Sequence, residues 1–313
     1  MKNPTLTRRT APRLAIAAIV IGAVLTVSAC GSTSAKNATT PSGAGSESGA
    51  GSVDVAPKND QAIAQLPAEV KQRGSIVVAM DVSSPPNHFM DKDGKTIVGV
   101  DADIAKLLGQ ALDLKVSIVG VNFDAIIPGL AGKKYDIAIA QMSPTVEREK
   151  VLDFVDYFST GTAVAVAAGN PLKITVDSMC GHKIAVLKGS FQEAKRVPEY
   201  SGQCTAAGKP AITPSSFPDQ QATILALTSG RVDGVMEDSP VLSYAHKQGA
   251  AIEVAGVAHV SAVGIGITKG SGLLDPIHTA MQSLIASKSY KQALENWGVA
   301  DGAVTEAKVN DNS

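Results

Sequence analysis

Apolar residues recur along this chain in two ways, as short β-branched runs and as longer stretches with helical spacing, and the two kinds follow one another. Ser75 to Met80, Lys115 to Val119, Tyr135 to Ala140 and Lys183 to Leu187 have the length and composition of buried parallel strands. Helical spacing covers Leu66 to Arg73, Gly99 to Leu112, Asp124 to Leu130, Leu273 to Ala286 and Tyr290 to Trp297, with Asp101 or Asp103 placed at the positive end of the second helix dipole. After Asp81 the segment Val82 to Phe89, with its paired prolines, cannot continue a ladder and reads as a loop at a strand's carboxyl end, where open α/β sheets bind ligands. Thr162 to Ala168 reads as a strand leaving one lobe for a second, and Ala262 to Thr268 as the strand that returns. Two crossings predict a hinge.

An internal echo supports two similar α/β units. Leu130-Ala131-Gly132-Lys133-Lys134-Tyr135-Asp136 runs from helix through glycine and base to a strand aspartate, and Leu227-Thr228-Ser229-Gly230-Arg231-Val232-Asp233 repeats the plan. Each strand then meets polar residues: Gln141 and Ser143 with Arg148 downstream in the first, Glu237 and Asp238 in the second. Ser143 or Thr145 can cap a short helix that Pro144 helps to start, leaving amides free, and Arg148 lies one turn beyond Thr145. Hydroxyl, amides and guanidinium can then converge on a carboxylate. The alternative for Arg148 is a surface pair with Glu147 or Glu149. With a cation from one unit and an anion from the other, a gap between them suits a zwitterion whose carboxylate meets Arg148 and whose ammonium meets Asp238. The loop Lys188-Gly189-Ser190-Phe191-Gln192 offers further amides from Gly189 and Ser190, or is an ordinary glycine turn.

At 313 residues, 44% hydrophobic and 18% charged, the chain has the size for more than one core, while its 4% aromatic content leaves few rings for a pocket. The N-terminus carries Lys2, Arg8, Arg9 and Arg13, an apolar run from Leu14 to Val27, and Val27-Ser28-Ala29 before Cys30. This resembles a bacterial lipoprotein signal, which implies cleavage before Cys30 and lipidation of its sulfur; an ordinary signal peptide is the alternative. Gly31 to about Asn59, rich in Gly, Ser, Ala and Thr, reads as a flexible tether spanning roughly 30 Å. Without the signal's four basic residues, 24 Lys and Arg face 29 Asp and Glu, a formal charge of −5 that argues against nucleic acid and a polybasic membrane surface. In an exported, oxidising setting the two remaining cysteines, Cys180 and Cys204, are predicted to form a disulfide, two free buried thiols being the alternative. No metal-like spacing of histidines or cysteines and no phosphate loop stands out, so no metal or other cofactor is expected.

From about Ser75 to Gly298 the chain resembles the polar amino-acid solute-binding proteins of ABC importers. The carriers are Gly99-Val100-Asp101-Ala102-Asp103, Phe123 to Leu130, Gly132 to Asp136, Met142-Ser143-Pro144-Thr145-Val146-Glu147-Arg148, Gly189-Ser190, and Gly230 to Asp233 followed by Asp238. The resemblance implies a two-lobed periplasmic-binding-protein-like α/β fold of type II with two interlobe crossover strands. It divides the chain into signal peptide (1–29), lipidated Cys30 with tether (30–60), first lobe (61–167), second lobe (168–260) and the return into the first lobe with C-terminal helices (261–313). It implies that Arg148 binds an α-carboxylate with help from Ser143 and Ser190, and that Asp238 binds the α-ammonium with Gln141 nearby. Asp81 stands at the family's cleft aspartate and Phe123 at a position flanking the ligand.

Where the family's first loop supplies two rings around its prolines, this chain has Ser84 and Asn87. That weakens the sandwich a cationic side chain uses and favours a small or polar uncharged amino acid, with an acidic one as a further option through His88 and Lys188, which otherwise read as solvated loop residues. Phe191 lines the pocket or packs under the disulfide; Trp297 reads as core. The expected protein is a monomer, held by its lipid anchor outside the cytoplasmic membrane or in the periplasm, that passes a free amino acid to ABC permease subunits. The alternatives are an enzyme on the same scaffold, as cyclohexadienyl dehydratases resemble this family, and a sensor not coupled to transport.

Overall fold

The computed structural model describes residues 53–311. The signal segment, Cys30 and most of the tether lie outside the described residues. The order begins earlier than composition suggests: Asp54 N–H donates to Gln292 Oε1 at 3.0 Å, Ala56 N–H to Gln110 Oε1 at 2.8 Å, and Ala56 is buried. Residues 53–59 therefore pack on the folded body as its first segment. Asn59, read as tether, caps α1 (Asp60–Gln65) by accepting the Ala62 N–H.

After α1 come α2 (Ala68–Arg73), ended by Gly74 in the left-handed region (φ 64°), and β1 (Ser75–Met80). The Val82–Phe89 segment does pair, forming with its continuation a small separate sheet of β2 (Ser83–Ser84), β3 (His88–Met90) and β4 (Ile97–Val98) around a cis Pro85–Pro86 bond. Then follow α3 (Val100–Ala111), β5 (Lys115–Gly120), α4 (Ile126–Ala131) after a 3-10 turn at Phe123–Ala125, β6 (Ile137–Met142), and β7 (Leu152–Ala167). The second half holds β8 (Lys183–Leu187), a π-helical turn at Gln192–Arg196 running into α5 (Val197–Ala206), β9 (Thr213–Phe217), α6 (Gln220–Thr228), β10 (Gly234–Asp238) and α7 (Ser239–Lys247). The long β11 (Ile252–Thr268) returns to α8 (Leu274–Ile285) and α9 (Lys288–Asn296).

The eight strands of the main sheet lie in the order β5-β1-β6-β11-β7-β10-β8-β9. Its outer pairs are parallel and its middle is the antiparallel ribbon of β7 and β11. The expected crossover strands are thus present, but both are longer than their apolar stretches: the polar Asp153 and Asp156 sit inside β7, and Asp156 is buried. The β7–β11 register shifts between Val254 and Val257, Ala258 and Ser261, and Val263 and Gly264.

Apolar side chains separate into distinct cores. Ile76, Val78, Ile137 and Ile139 pack with Leu107, Leu108 and Leu284 in the first half. In the second half the period-2 alternation of β7 splits its residues, Val164 and Val166 joining Ile184 and Tyr200 on one face, and Ala163 and Ala165 joining Leu227 and Leu242 on the other. Cys180 and Cys204 form the disulfide, with Cα atoms 5.5 Å apart, tying the segment before β8 to α5. Trp297 packs against the first core and donates to Asp103 Oδ2 at 2.8 Å.

The internal echo is a repeated structural device. Asp136 Oδ2 accepts the Val77 N–H at 2.7 Å while its own N–H donates to Val77 O; Asp233 Oδ2 accepts the Lys183 N–H at 2.8 Å and its N–H donates to Lys183 O. Each aspartate thereby pins the start of the neighbouring strand. The left-handed residue of the turn differs, being Lys133 (φ 53°) in the first unit and Gly230 (φ 71°) in the second.

Candidate ligand-binding site

The carboxyl ends of β1, β6, β8 and β10 converge on a small cavity whose space for the centre of a water-sized sphere is about 20 Å³, room for about one water molecule. Its walls include Ser84, Asn87, His88, Phe123, Gln141, Ser143 and Arg148 from the first half and Leu187, Ser190, Phe191, Gln192, Glu237 and Asp238 from the second. Of the ligand residues that the resemblance implies, only Asp81 is not in the wall. It lies behind it, where its Oδ1 accepts the Ser83 N–H at 2.9 Å, the Ser83 hydroxyl at 2.8 Å and the Ser84 hydroxyl at 3.2 Å. Those donors fix the loop that carries Ser84.

Arg148 is buried, so the surface-pair alternative fails; Glu147 pairs instead with Lys195 at 2.9 Å. The expected helix is a single 3-10 turn, Arg148–Lys150, with Thr145 Oγ1 accepting the Arg148 N–H at 3.1 Å. The guanidinium donates from Nη1 to Ser143 O at 2.8 Å and from Nη2 to Gly189 O at 3.0 Å, and its Cζ lies 5.5 Å from the Phe123 ring centre. Ser143 thus contributes its carbonyl, positioning the arginine. Burial pushes the guanidinium down to about 10 against the opposing charge of Asp238, and it stays cationic at neutral pH.

Behind Gln141 lies a buried polar network that no local pattern announced. Asp101 Oδ1 accepts Gln141 Nε2 at 2.8 Å and the Tyr157 hydroxyl at 2.9 Å, while its Oδ2 pairs with His88 Nδ1 at 2.7 Å. The Gln141 N–H donates to Tyr157 Oη at 3.0 Å. These bonds hold Gln141 at φ 50°, a left-handed conformation that costs a non-glycine residue about 1–2 kcal/mol and marks a strained site. His88 is not a solvated loop residue: it is buried, with Nε2 3.7 Å from Asp81. Burial opposes its charge, but the Asp101 hydrogen bond and the charges of Asp101, Asp81 and Asp238 hold it above its ordinary value. Lys188 is solvated and pairs with Asp124 at 2.9 Å.

From the second half, Asp238 accepts Gln192 Nε2 at 2.8 Å. Burial pushes its carboxyl up to about 7, and Asp101 adds to this, while Gln192, His88 and Arg148 favour the charged form. Burial and the adjacent Asp238 hold Glu237 well above the carboxylate range. The amides expected from Gly189 and Ser190 are already committed. Ser190 Oγ accepts the Glu193 N–H, Glu193 Oε2 accepts the Gly189 N–H at 2.6 Å, and the Ser190 N–H goes to Leu187 O. Ser190-x-x-Glu193 is a capping-box sequence, here with the glutamate reaching one residue further back, to the Gly189 N–H. Phe191 lines the cavity, with the Arg196 guanidinium 4.9 Å from its ring centre. Gln192 and Tyr157 are the positions in and behind the wall that sequence reasoning passed over, and Asn87 was noted there only as the absence of a ring.

A model of the bacterial extracellular solute-binding proteins, family 3, matches residues 76–300. The chain is similar to the arginine-binding protein ArgT of Corynebacterium glutamicum, 30% identical over 250 residues that cover 79% of this chain and 82% of that protein. Among solved structures it is similar to an ancestral arginine-binding protein bound to glutamine (TM-score 0.65, 33% identity, covering 72% of this chain and 99% of that one). It is also similar to the ancestral amino acid-binding protein AncCDT-1, a precursor of cyclohexadienyl dehydratase (TM-score 0.65, 29% identity, covering 73% of this chain and 97% of that one).

Proposed function

Given that the chain belongs to the bacterial extracellular solute-binding proteins of family 3, we propose that it captures a free amino acid between two closing lobes and hands it to the membrane subunits of an ABC importer. The observation that carries this reading is the placement of Arg148 and Asp238, opposite charges from the two halves of the sheet, in the wall of one cavity. The ligand's α-carboxylate takes the guanidinium hydrogens not bonded to Ser143 and Gly189, and its α-ammonium takes the Asp238 carboxylate. Ser190 and Phe123 complete the wall around the backbone of the ligand, and Gln141 adds a polar contact. Closure is supported by bonds joining the halves: Arg148 to Gly189, Lys188 to Asp124, Lys195 to Glu147, and the Gln220 N–H to Ser83 Oγ at 3.1 Å.

The side chain of the ligand is small or polar and uncharged. The acidic option loses its support, because His88 is engaged by Asp101 and Lys188 faces solvent beside Asp124. The protein acts outside the cytoplasm as a monomer held by lipidated Cys30. Calorimetric titration with the twenty amino acids, after bound ligand is removed by unfolding and refolding, tests the reading. One-to-one binding that Arg148→Ala and Asp238→Ala abolish supports it; silence toward all twenty defeats it. A second reading, an enzyme of the dehydratase kind, draws on the buried acid Glu237 and on the likeness to AncCDT-1. Turnover of arogenate or prephenate, lost in Glu237→Gln, would establish it.

A further inference from the structure

The cavity wall contains side-chain atoms that no described residue satisfies. Asn87 is completely buried, and neither its Nδ2 nor its Oδ1 has a hydrogen-bond partner among the described residues. The same holds for Gln141 Oε1 and Glu237 Oε2, both on buried residues of that wall. Orphaned buried polar atoms are costly, so such a group in a ligand cavity marks where a ligand atom goes.

We infer that Asn87 is the residue that selects the ligand's side chain, and that this side chain ends in a primary carboxamide, as in glutamine or asparagine. The inference rests on the receptor reading above and narrows its substrate. A carboxamide is the chemical complement of the orphaned amide atoms: its oxygen accepts from Asn87 Nδ2, and its NH2 group donates to Asn87 Oδ1 or Gln141 Oε1. Exchanging the two ends of the Asn87 amide leaves the match intact, since the set still holds one donor group and its acceptors. A guanidinium or ammonium only donates and would leave Nδ2 unpaired.

The rings point the same way. Phe123 lies against Arg148 and Phe191 against Arg196, so both aromatic side chains in the cavity wall are already engaged by cations of the protein. Asn87 itself stands where a ring would have helped to hold a cationic ligand. Its backbone is fixed independently: its N–H donates to Ser84 O and its carbonyl accepts the Asp101 N–H, which leaves the side chain as the variable element.

The test is a titration panel on the full chain in detergent, refolded free of ligand, with L-glutamine, L-asparagine, L-arginine, L-lysine, L-glutamate and L-methionine. L-methionine supplies similar length without the amide. A carboxamide amino acid is expected to bind at least about 10-fold more tightly than methionine or arginine, the size of effect that leaving a buried donor and acceptor unpaired produces. Asn87→Leu is expected to collapse the glutamine-to-methionine ratio about 10- to 100-fold, and Asn87→Asp, which replaces the donor by a carboxylate, to turn the preference toward arginine. Tightest binding of arginine or lysine by the unaltered chain, abolished in Arg148→Ala, would overturn this inference and leave the receptor reading standing. So would ratios that neither Asn87 variant changes. Binding of no member of the panel, or binding indifferent to Arg148→Ala, would instead remove the receptor reading on which the inference rests.

Discussion

Acidification should weaken amino-acid capture, and the size of the effect follows from Asp238. Its carboxyl, pushed up to about 7 by burial in the ligand-free cavity, must be ionised to receive an ammonium. The competent fraction is then about nine-tenths at pH 8, about one half at pH 7 and about one-tenth at pH 6, and the apparent dissociation constant scales inversely with it. Affinity should therefore fall about tenfold from pH 8 to pH 6, or about 1.4 kcal/mol over those two units. Arg148, at about 10, keeps its charge throughout this window. His88, held above its ordinary value beside Asp238, contributes with the opposite sign, because its protonation favours the Asp238 carboxylate. The assay is calorimetry between pH 5.5 and 8 in pairs of buffers with different ionisation heats, which counts protons released on binding as well as affinity. Close to one proton should leave per ligand bound at pH 6 and close to none at pH 8. Affinity that is flat across the range, or that rises on acidification, would refute the assignment of the ammonium to an Asp238 with a raised pKa.

Two further outcomes concern the scaffold behind the cavity. Tyr157→Phe removes a donor to Asp101 and the acceptor of the strained Gln141 N–H, and should cost about 1–3 kcal/mol in urea unfolding together with a measurable loss of ligand affinity; unchanged stability would show that the network does not hold Gln141. Asp156 is buried with Oδ1 unpartnered, and its native value of about 7 lies above the ~3.9 of an unfolded aspartate, so its ionisation removes stability as pH rises from about 4 to 7. Asp156→Asn should melt higher than the parent at pH 8 and close to it at pH 4, and a lower melting point at pH 8 would contradict the account.

Local pattern was enough for most of the parallel strands and for the helices α2, α3, α4, α8 and α9, but not for α5 and α7. β1 and β8 run from Ser75 to Met80 and from Lys183 to Leu187, where short apolar runs end against polar residues. It was also enough for the repeated Asp136 and Asp233, because a helix–glycine–base–aspartate order is a one-dimensional signal. It failed where the determining contact is distant in sequence. His88 and Asp101 are thirteen residues apart on different elements, and nothing near His88 distinguishes a buried partner from a solvated loop residue. Tyr157 lies in the half of β7 where Asp153 and Asp156 hide the strand, and its hydroxyl finds Asp101 only once the sheet has formed. Gln192 read as the last residue of a loop; the π-helical turn starting there places its amide on Asp238, forty-six residues away. Asp81 shows the converse case, a position correctly located at the end of its strand whose oxygen serves the loop and not the cavity wall.

The β7–β11 ribbon has a mechanical consequence. Its ladder runs from Leu152 paired with Thr268 to Ala167 paired with Ile252, so a tensile load along it is carried by two covalent backbones that are already extended, and the two halves of the sheet resist being drawn apart. Bending is different. The register shifts between Val254 and Gly264 interrupt the ladder, and Gly256 (φ 143°) and His259 (φ 53°) lie among them, so flexural compliance is concentrated in one short span. The ribbon is stiff in extension and soft in one bend, and a torque applied to either end is returned at the other as rotation about that span.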